Sequence, residues 1–378
     1  LAIISKNMRV AVNTRLLIEN ELEGIGRFTY EILKELCNQN PNIYFDFIFD
    51  RPFSKKFLFN KNVTGHVLRP RTRHPILWYY WFEVKIPKLL NKIKPDIFLS
   101  MDGFLSLRAN IKQIAVIHDI NFVHHPNNLP FFHRKFYKFF FSKYAKKADS
   151  IVTVSKFSKF DIVNTYGISD KKVNVIYNGV GEKFSIISKN EKIKIKKQLT
   201  FDCNYFISIG SIHKRKNISN LIKAFDSYKK KSKSKSKLLF VGKKRWWTSE
   251  MEKTFQKSNF KKDIIFSGYI DEEMLPKILG ASLGLCFTSF FEGFGLPIIE
   301  AMRCGVPVIT SKTSSMPEIC GDAGIIINPY NYQEISDALD MVENNYKLRK
   351  KLIKSGLERS KIFNWKSAAE KLSKIIRE

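Results

Sequence analysis

Short apolar runs alternate with amphipathic helical stretches along nearly the whole chain, and no other feature narrows its fold as much. Residues 8–13 read as an apolar strand, followed by a glycine-containing turn (Glu23-Gly24-Ile25-Gly26-Arg27) and a helical pattern over 28–37. Residues 44–49, 95–99, 113–117, 150–154 and 173–177 read as further strands, with helix-like stretches at 78–92, 131–147 and 157–166 between them. Strands separated by helices need crossover connections, which places them in a parallel sheet covered on both faces. The alternation restarts with strands at 205–209, 237–241, 264–266, 283–287 and 306–310 and helices at 218–229, 272–279 and 297–303. Two successive doubly wound α/β units are the economical reading, and 378 residues suit two domains of ordinary size. The expected division is residues 1–185, then 186–361 with a polar, lysine-rich linker over 186–200, then a closing helix within 362–378. The KKKSKSKSK run at 229–237 reads as a solvated loop, and no repeat of 20–50 residues is visible.

The charge balance is unusual, with 65 Lys and Arg against 35 Asp and Glu, a formal +30. Such an excess invites a nucleic-acid reading. However, residues 1–190 carry 30 basic and 15 acidic side chains and the remainder 35 and 20, so no separate basic module exists. An anionic membrane surface or phosphorylated substrates suit an evenly cationic body at least as well. No apolar stretch is long enough to span a bilayer. Residues 1–9 hold a brief apolar run and Met8, a candidate initiator, but no signal-peptide core or cleavage region. The five cysteines are odd in number and show no CxxC spacing, so free thiols in a reducing, cytoplasmic compartment are expected.

One string concentrates the chemistry: Phe291-Glu292-Gly293-Phe294-Gly295-Leu296-Pro297-Ile298-Ile299-Glu300, running on to Val308. A strand enters a glycine-rich loop there, and a helix follows with Pro297 in its first turn. Gly293 and Gly295 let backbone amides approach a ligand, and the helix start offers unpaired N–H groups to an anion. Glu300, about one turn in, can reach something held over the loop. A second string, Ile209-Gly210-Ser211-Ile212-His213-Lys214-Arg215-Lys216-Asn217, puts cations at a strand's carboxyl end beside a helix start. That pattern can hold a diphosphate.

Two glutamates separated by seven residues, with Gly-Phe-Gly-Leu-Pro between them, resemble the signature of glycosyltransferase family 4. That large retaining group has the GT-B fold, two Rossmann-like domains facing across a cleft. The resemblance covers nearly the whole chain and implies a nucleotide-sugar donor. It assigns Glu292 to the donor sugar and Glu300 to the ribose hydroxyls, with Gly293, Phe294, Gly295 and Leu296 around the donor. Arg215 and Lys216 are implied at the diphosphate, although Ser211 stands where the family often has an Arg. His118, in Val116-Ile117-His118-Asp119-Ile120, is implied to face the donor sugar from the first domain. Gly24 and Gly26 match the glycine loop near the acceptor and donor phosphates, and Gly268-Tyr269-Ile270 the segment whose backbone reads the base. Ser315-Met316-Pro317-Glu318, Gly321-Asp322-Ala323-Gly324 and Trp365 fit later family segments.

The pre-helix cluster His74-Pro75-Ile76-Leu77-Trp78 and the Arg215-Lys216 pair resemble the bacterial surface-polysaccharide mannosyltransferase branch. Mannose carried by GDP is therefore the favoured donor, and a hexose such as glucose or galactose the alternative. The implied acceptor is a glycan or a polyprenyl-linked glycan of the cell envelope. With no DxD-like motif to bridge a diphosphate through a metal, metal-independent transfer with retention is expected, with no cofactor. A front-face course, in which the leaving phosphate helps deprotonate the acceptor, is implied by the family. The rival class is a non-enzymatic basic nucleic-acid-binding protein, which leaves the paired glutamates unexplained, so no specific nucleic-acid partner is expected.

Residues 131–147 (FFHRKFYKFFFSKYAKK) bear on location. On a helical projection Phe132, Phe136, Phe139 and Phe140 form one arc continued by Tyr144, with Arg134, Lys135, Lys138 and Lys146 opposite and Lys143 out of pattern. A basic amphipathic helix can lie on an anionic membrane surface, here the cytoplasmic face of an inner membrane. The alternative is an ordinary domain helix with its phenylalanines in the core.

Overall fold

The apolar runs form two all-parallel sheets in a computed structural model that describes residues 8–19, 22, 24–244 and 246–378. The opening apolar run (residues 1–7) and Glu23 lie outside the described residues. Two compact units divide the chain: one comprises the residues up to Gly179 together with Asn364–Glu378, the other Val180–Phe363.

The first unit holds β1 (Arg9–Asn13), β2 (Tyr44–Phe49), β3 (Val63–Val67), β4 (Ile97–Ser100), β5 (Lys112–Val116), β6 (Ser150–Thr153) and β7 (Val173–Val175). Their order is β3-β2-β1-β4-β5-β6-β7. In the second unit β8 (Tyr205–Ile209), β9 (Lys237–Val241), β10 (Ile264–Gly268), β11 (Gly284–Phe287), β12 (Val308–Ser311) and β13 (Gly324–Ile327) follow the order β10-β9-β8-β11-β12-β13. The central strands β1, β4, β8 and β11 are almost wholly buried, which is why they read as continuous apolar runs rather than alternating ones. A large apolar side chain so buried contributes about 1.5–3 kcal/mol. In each sheet the strand order reverses once, between β1 and β4 and between β8 and β11. Ligands of open parallel sheets bind outside the carboxyl ends of the strands at such a switch point.

Several expectations are corrected. The stretch expected as a linker is the Lys189–Thr200 helix, started by a reciprocal cap in which Ser188 and Glu191 satisfy each other's backbone N–H. Its Ile195 is buried. The glycine turn before residue 28 is already helical, because the first described helix runs over Gly24–Gln39. At Gly26 a Cβ would come within 2.7 Å of the Leu16 carbonyl oxygen, so that turn packs against backbone as only glycine allows. The lysine–serine run is not wholly solvated. Lys229 is buried at the end of the Ile218–Ser232 helix, its ammonium hydrogen-bonded to the Ser234 and Ser236 carbonyls and 2.8 Å from Asp263. β3 and β13, and the helices Ser249–Lys257, Tyr332–Asn344 and Tyr346–Ser360, add to the elements read from sequence.

The chain's last helix, Trp365–Arg377, starts from an Asn364 cap that accepts from the Lys366 and Ser367 amides. It packs on Gly24–Gln39, where the Trp365 and Phe28 ring centres lie 5.7 Å apart.

The Phe131–Lys147 helix meets both of its sequence readings halfway. Phe136, Phe141, Tyr144 and Ala145 face an aromatic core with Trp78, Phe82 and Phe104. Phe136 and Tyr144 therefore leave the single solvent-facing arc expected for them, while Phe131, Phe132 and Phe139 stay exposed among Lys135, Lys138 and Lys143.

Candidate active site

β8 and β11 run side by side, and the loops leaving their carboxyl ends carry the cationic pair and Glu292 respectively. After β8 the chain turns through Gly210 at φ +128° and forms a short 3-10 turn over Lys214–Lys216. His213 caps this turn, its Nδ1 accepting from the Arg215 amide at 3.0 Å. After β11 the chain passes through Thr288 to Phe291 and delivers Glu292. The two loops then close on each other: Arg215 Nη1 lies 2.6 Å from Glu292 Oε2 and Lys216 Nζ 2.8 Å from Oε1. The Arg215 Nη1 group also donates to the Phe291 carbonyl at 2.6 Å, and the Phe290 amide to the Arg215 carbonyl at 2.9 Å.

Further bonds hold the glutamate loop to the segment after β12. The Glu292 amide donates to Ser314 Oγ at 3.0 Å, and Ser315 Oγ–H donates to the Glu292 and Phe294 carbonyls at 2.8 and 3.0 Å. Gly293, Phe294 and Gly295 follow, with Gly295 at φ +103° as the residue that opens the Leu296–Arg303 helix. A Cβ on Gly295 would meet Ile298 at 3.0 Å and the Phe287 ring at 3.2 Å, so its freedom is used in full. Glu300 is buried on that helix.

Electrostatics follow from this closure. Burial acts to raise the Glu292 carboxyl, but the Arg215 and Lys216 charges outweigh it and bring it down to about 2. Burial lowers the Lys216 ammonium, with Arg215 acting the same way and Glu292 opposing. Its Nζ also sits 4.4 Å from the centre of the Phe287 ring. Two cations and one carboxylate sum to a net positive charge at the strand ends, beside a helix start. Such an arrangement favours an anion and stabilises negative charge that develops on it.

The other predicted residues fall in two places. Gly268, at φ +71°, ends β10, and the next ring, Tyr269, is exposed with Lys243 Nζ 5.2 Å from its centre. His118, Gly24 and Gly26 belong to the first unit. His118 follows β5, with Nε2 3.0 Å from the Met101 carbonyl, which sets the ring proton on Nε2 and leaves Nδ1 an acceptor. Burial holds its imidazole below the ordinary histidine value, and the Phe28 ring stands edge-on at 4.7 Å. Gly24 and Gly26 form the first turn of the Gly24–Gln39 helix.

Sequence reasoning missed the switch point of the first unit. There Arg15, just past β1, pairs with Asp102, just past β4, through Nε to Oδ2 at 2.6 Å. Asn13 donates to Asp102 Oδ1 at 2.8 Å and Arg15 Nη1 to Thr72 Oγ1 at 3.1 Å. The guanidinium carbon lies 4.3 Å from the centre of the Phe104 ring. Ser314 and Gly242 were also missed; a Cβ on Gly242, at φ +148°, would meet the Gly210 carbonyl oxygen at 2.1 Å. Pairs 87 residues apart leave no local signal, whereas a glycine after a strand is one that could have been weighed at Gly242.

A family model described as Glycosyl transferases group 1 matches residues 189–359, and one described as Glycosyltransferase Family 4 matches residues 22–183. O-antigen chain mannosyltransferase B of Escherichia coli is 26% identical over 363 residues, covering 93% of this chain and 94% of its own. Sucrose-phosphate synthase (tll1590) from Thermosynechococcus elongatus superposes with a TM-score of 0.78 at 17% identity, over 98% of each chain. Anabaena Alr3699/HepE in complex with UDP-glucose gives 0.77 at 17% identity, over 98% of this chain and 99% of that one. These likenesses establish the fold, two Rossmann-like domains of the GT-B kind. With one model spanning most of the first unit and the other most of the second, the chain is a glycosyltransferase made of a Family 4 domain followed by a group 1 domain.

Proposed function

We propose that the enzyme moves a hexose, mannose carried by GDP, onto a glycan or polyprenyl-linked glycan during cell-envelope polysaccharide synthesis. The observation that carries this reading is the buried Glu292 held by Arg215 and Lys216 at the second unit's switch point. The mannosyl assignment is supported by the O-antigen relative. A fold neighbour's UDP-glucose makes glucose carried by UDP the alternative to be tested beside it.

In this reading Arg215 and Lys216, with the helix start at Leu296, hold the diphosphate and stabilise the charge that grows on it as the anomeric C–O bond breaks. Glu292 orients the donor sugar, Glu300 accepts from the ribose hydroxyls, and Gly268 and Tyr269 border the base. Gly293, Phe294 and Gly295 shape the backbone around the phosphates. The family resemblance assigns His118, whose Nδ1 is left an acceptor, to the donor sugar, and Gly24 and Gly26 to the acceptor and donor phosphates. Transfer proceeds with retention and without a metal. The acceptor oxygen bonds to the anomeric carbon on the face the phosphate leaves, and its proton passes to a leaving phosphate oxygen. The first unit binds the acceptor at the cytoplasmic face of the inner membrane, a location supported by the +30 charge.

The test is a thermal-shift titration with UDP, GDP, ADP and their sugar conjugates, using Glu300→Ala as control. A nucleotide at one hundred times its Kd adds about 2.7 kcal/mol of stability. GDP and GDP-mannose are expected to raise the midpoint most, with the shift lost in Glu300→Ala. A shift with UDP compounds alone replaces mannose, and no shift with any nucleotide overturns the donor site.

A further inference from the structure

The first unit carries an aromatic ledge that its core does not use. The short Pro75–Tyr80 helix, capped by His74, lies against the Phe131–Lys147 helix. Trp78 and Phe136 point inward from the two, their ring centres 5.3 Å apart. Outward they leave Ile76 71%, Phe132 66%, Phe139 58% and Phe131 52% exposed, with Tyr79 and Tyr80 beside them. The outer rings are linked: Phe131 to Phe132 at 5.5 Å, Phe132 to His74 at 6.1 Å, Tyr79 to Phe140 at 5.9 Å, and Phe140 to Phe139 at 5.0 Å. Six large apolar side chains exposed on two adjoining helices form a patch of the kind that marks an interaction surface.

Its charges are all of one sign. Neither helix contains an acidic residue. Lys143 Nζ lies 3.5 Å from the Phe139 ring centre, Lys135 Nζ 4.7 Å from Phe131, and Lys85 Nζ 5.6 Å from Tyr80. Lys138 on the longer helix is exposed, as are Arg71 and Arg73 shortly before His74 in the chain. A twofold contact between copies would set this cationic patch against itself, so like charges oppose self-association. An anionic bilayer answers both halves of the pattern, taking rings at its interface and lysine ammonium groups at its phosphates.

We propose that this ledge is the surface by which the first unit seats on an anionic phospholipid bilayer. It deepens the membrane-face reading above and rests on it, naming the residues and the lipid charge. Phe132 and Phe139 enter the interface, while Lys135, Lys138 and Lys143 stay at headgroup level. The rings that bind are not the arc expected from a helical projection, since Phe136 and Tyr144 are held in the core.

The experiment is co-sedimentation of the full chain with phosphatidylglycerol–phosphatidylcholine vesicles and with phosphatidylcholine alone, at low and high salt. Phe132→Ser/Phe139→Ser and Lys135→Glu/Lys138→Glu are the variants, all at exposed positions. Wild type is expected to prefer the anionic vesicles. The double serine variant should bind about tenfold more weakly or worse at either salt. The double glutamate variant should lose roughly fivefold or more per cation and most of the salt dependence. Equal binding to neutral vesicles, or wild-type binding by the serine variant, overturns the proposal. So does a wild-type dimer in sedimentation equilibrium that the serine variant converts to monomer, which would make a second copy the occupant. Unchanged unfolding midpoints certify the fold of both variants. The nucleotide-induced thermal shift, read on the same samples, reports the donor site separately.

Discussion

Both units close their switch point with a cation–carboxylate contact, but the two contacts are set in different surroundings. In the first unit Arg15 and Asp102 are buried together, bridged to Asn13 and Thr72 and packed on Phe104. Every side chain named there is large or already bonded, and the pair ties β1 to β4. In the second unit Glu292 meets two cations, and the surroundings are Gly210, Gly293 and Gly295 with a helix start. Bulk has been removed there and net positive charge added. One switch point balances a single cation with a single carboxylate, and the other sets two cations on one carboxylate and so keeps a net positive charge. Position in the fold alone therefore does not make a site; the side chains around the pair decide.

The largest expected contrast comes from removing each carboxylate. Glu292→Ala should lower kcat about 10²-fold or more, the loss expected when a contact that orients the reacting sugar is removed. Both variants leave a buried cation without its partner and should destabilise the fold by about 3–5 kcal/mol, but Asp102→Ala should keep kcat near wild type in the protein that remains folded. Steady-state rates and unfolding midpoints on both variants separate the two. A collapse of kcat in Asp102→Ala at unchanged stability would make the first switch point a second catalytic centre.

Replacing whole pairs gives the next effect. Arg15→Met with Asp102→Leu should recover most of the stability lost in Asp102→Ala, since an apolar pair of similar volume substitutes well for a buried ion pair. Lys216→Met with Glu292→Leu should also fold, yet regain none of the lost rate. Denaturant midpoints and initial rates on the two double variants decide this, and recovered turnover in the second would remove the electrostatic role from Lys216.

The same contrast explains what could be read from the chain. Buried parallel strands such as Val10–Val12 and Leu285–Phe287 announce themselves as apolar runs, because helices cover both faces. β3 did not, since Thr64, Gly65 and His66 interrupt it and His66 is there to meet Asp46 at 2.7 Å. Lys189–Thr200 looked like a linker because so few of its side chains are apolar, although Ser188-x-x-Glu191 is a helix-start signal that was present. Glu292, Arg215 and Lys216 were legible because the signature around them is local. Arg15 with Asp102, and Ser314 with the Glu292 amide, depend on sheet order and register, so nothing near them in sequence points to the partner.

Acid titration tests the second pair more gently. Burial tends to raise the Glu292 carboxyl, but Arg215 and Lys216 bring it from the ordinary 4.5 to about 2. A carboxyl whose value is lower in the folded state stabilises the fold fully above its unfolded value and loses that contribution as pH falls through the folded one. Wild type should therefore lose stability relative to Glu292→Gln as pH falls from about 4.5 to about 2. Urea unfolding at a series of pH values measures it, and parallel curves for the two proteins would show that the cations do not hold the carboxylate.

The smallest effect is expected at Gly210, and it probes how closely the second switch point is fitted to Lys216. A Cβ there would lie 3.2 Å from Lys216 Cε and 3.4 Å from Nζ, on a backbone at φ +128° that side-chain-bearing residues rarely adopt. Gly210→Ala should destabilise by about 1–3 kcal/mol through that strain. It should also press the lysine stem away from Glu292 Oε1, weakening nucleotide binding more than it lowers kcat. The flexible end of a lysine can yield a few tenths of an ångström, which keeps this loss well below that of Glu292→Ala. Nucleotide titration of the alanine variant by thermal shift, beside its kcat, reads the two parts. Unchanged nucleotide affinity in a folded Gly210→Ala would mean that Lys216 does not need its present place to hold the diphosphate, and that Arg215 and the helix start supply the positive field without it.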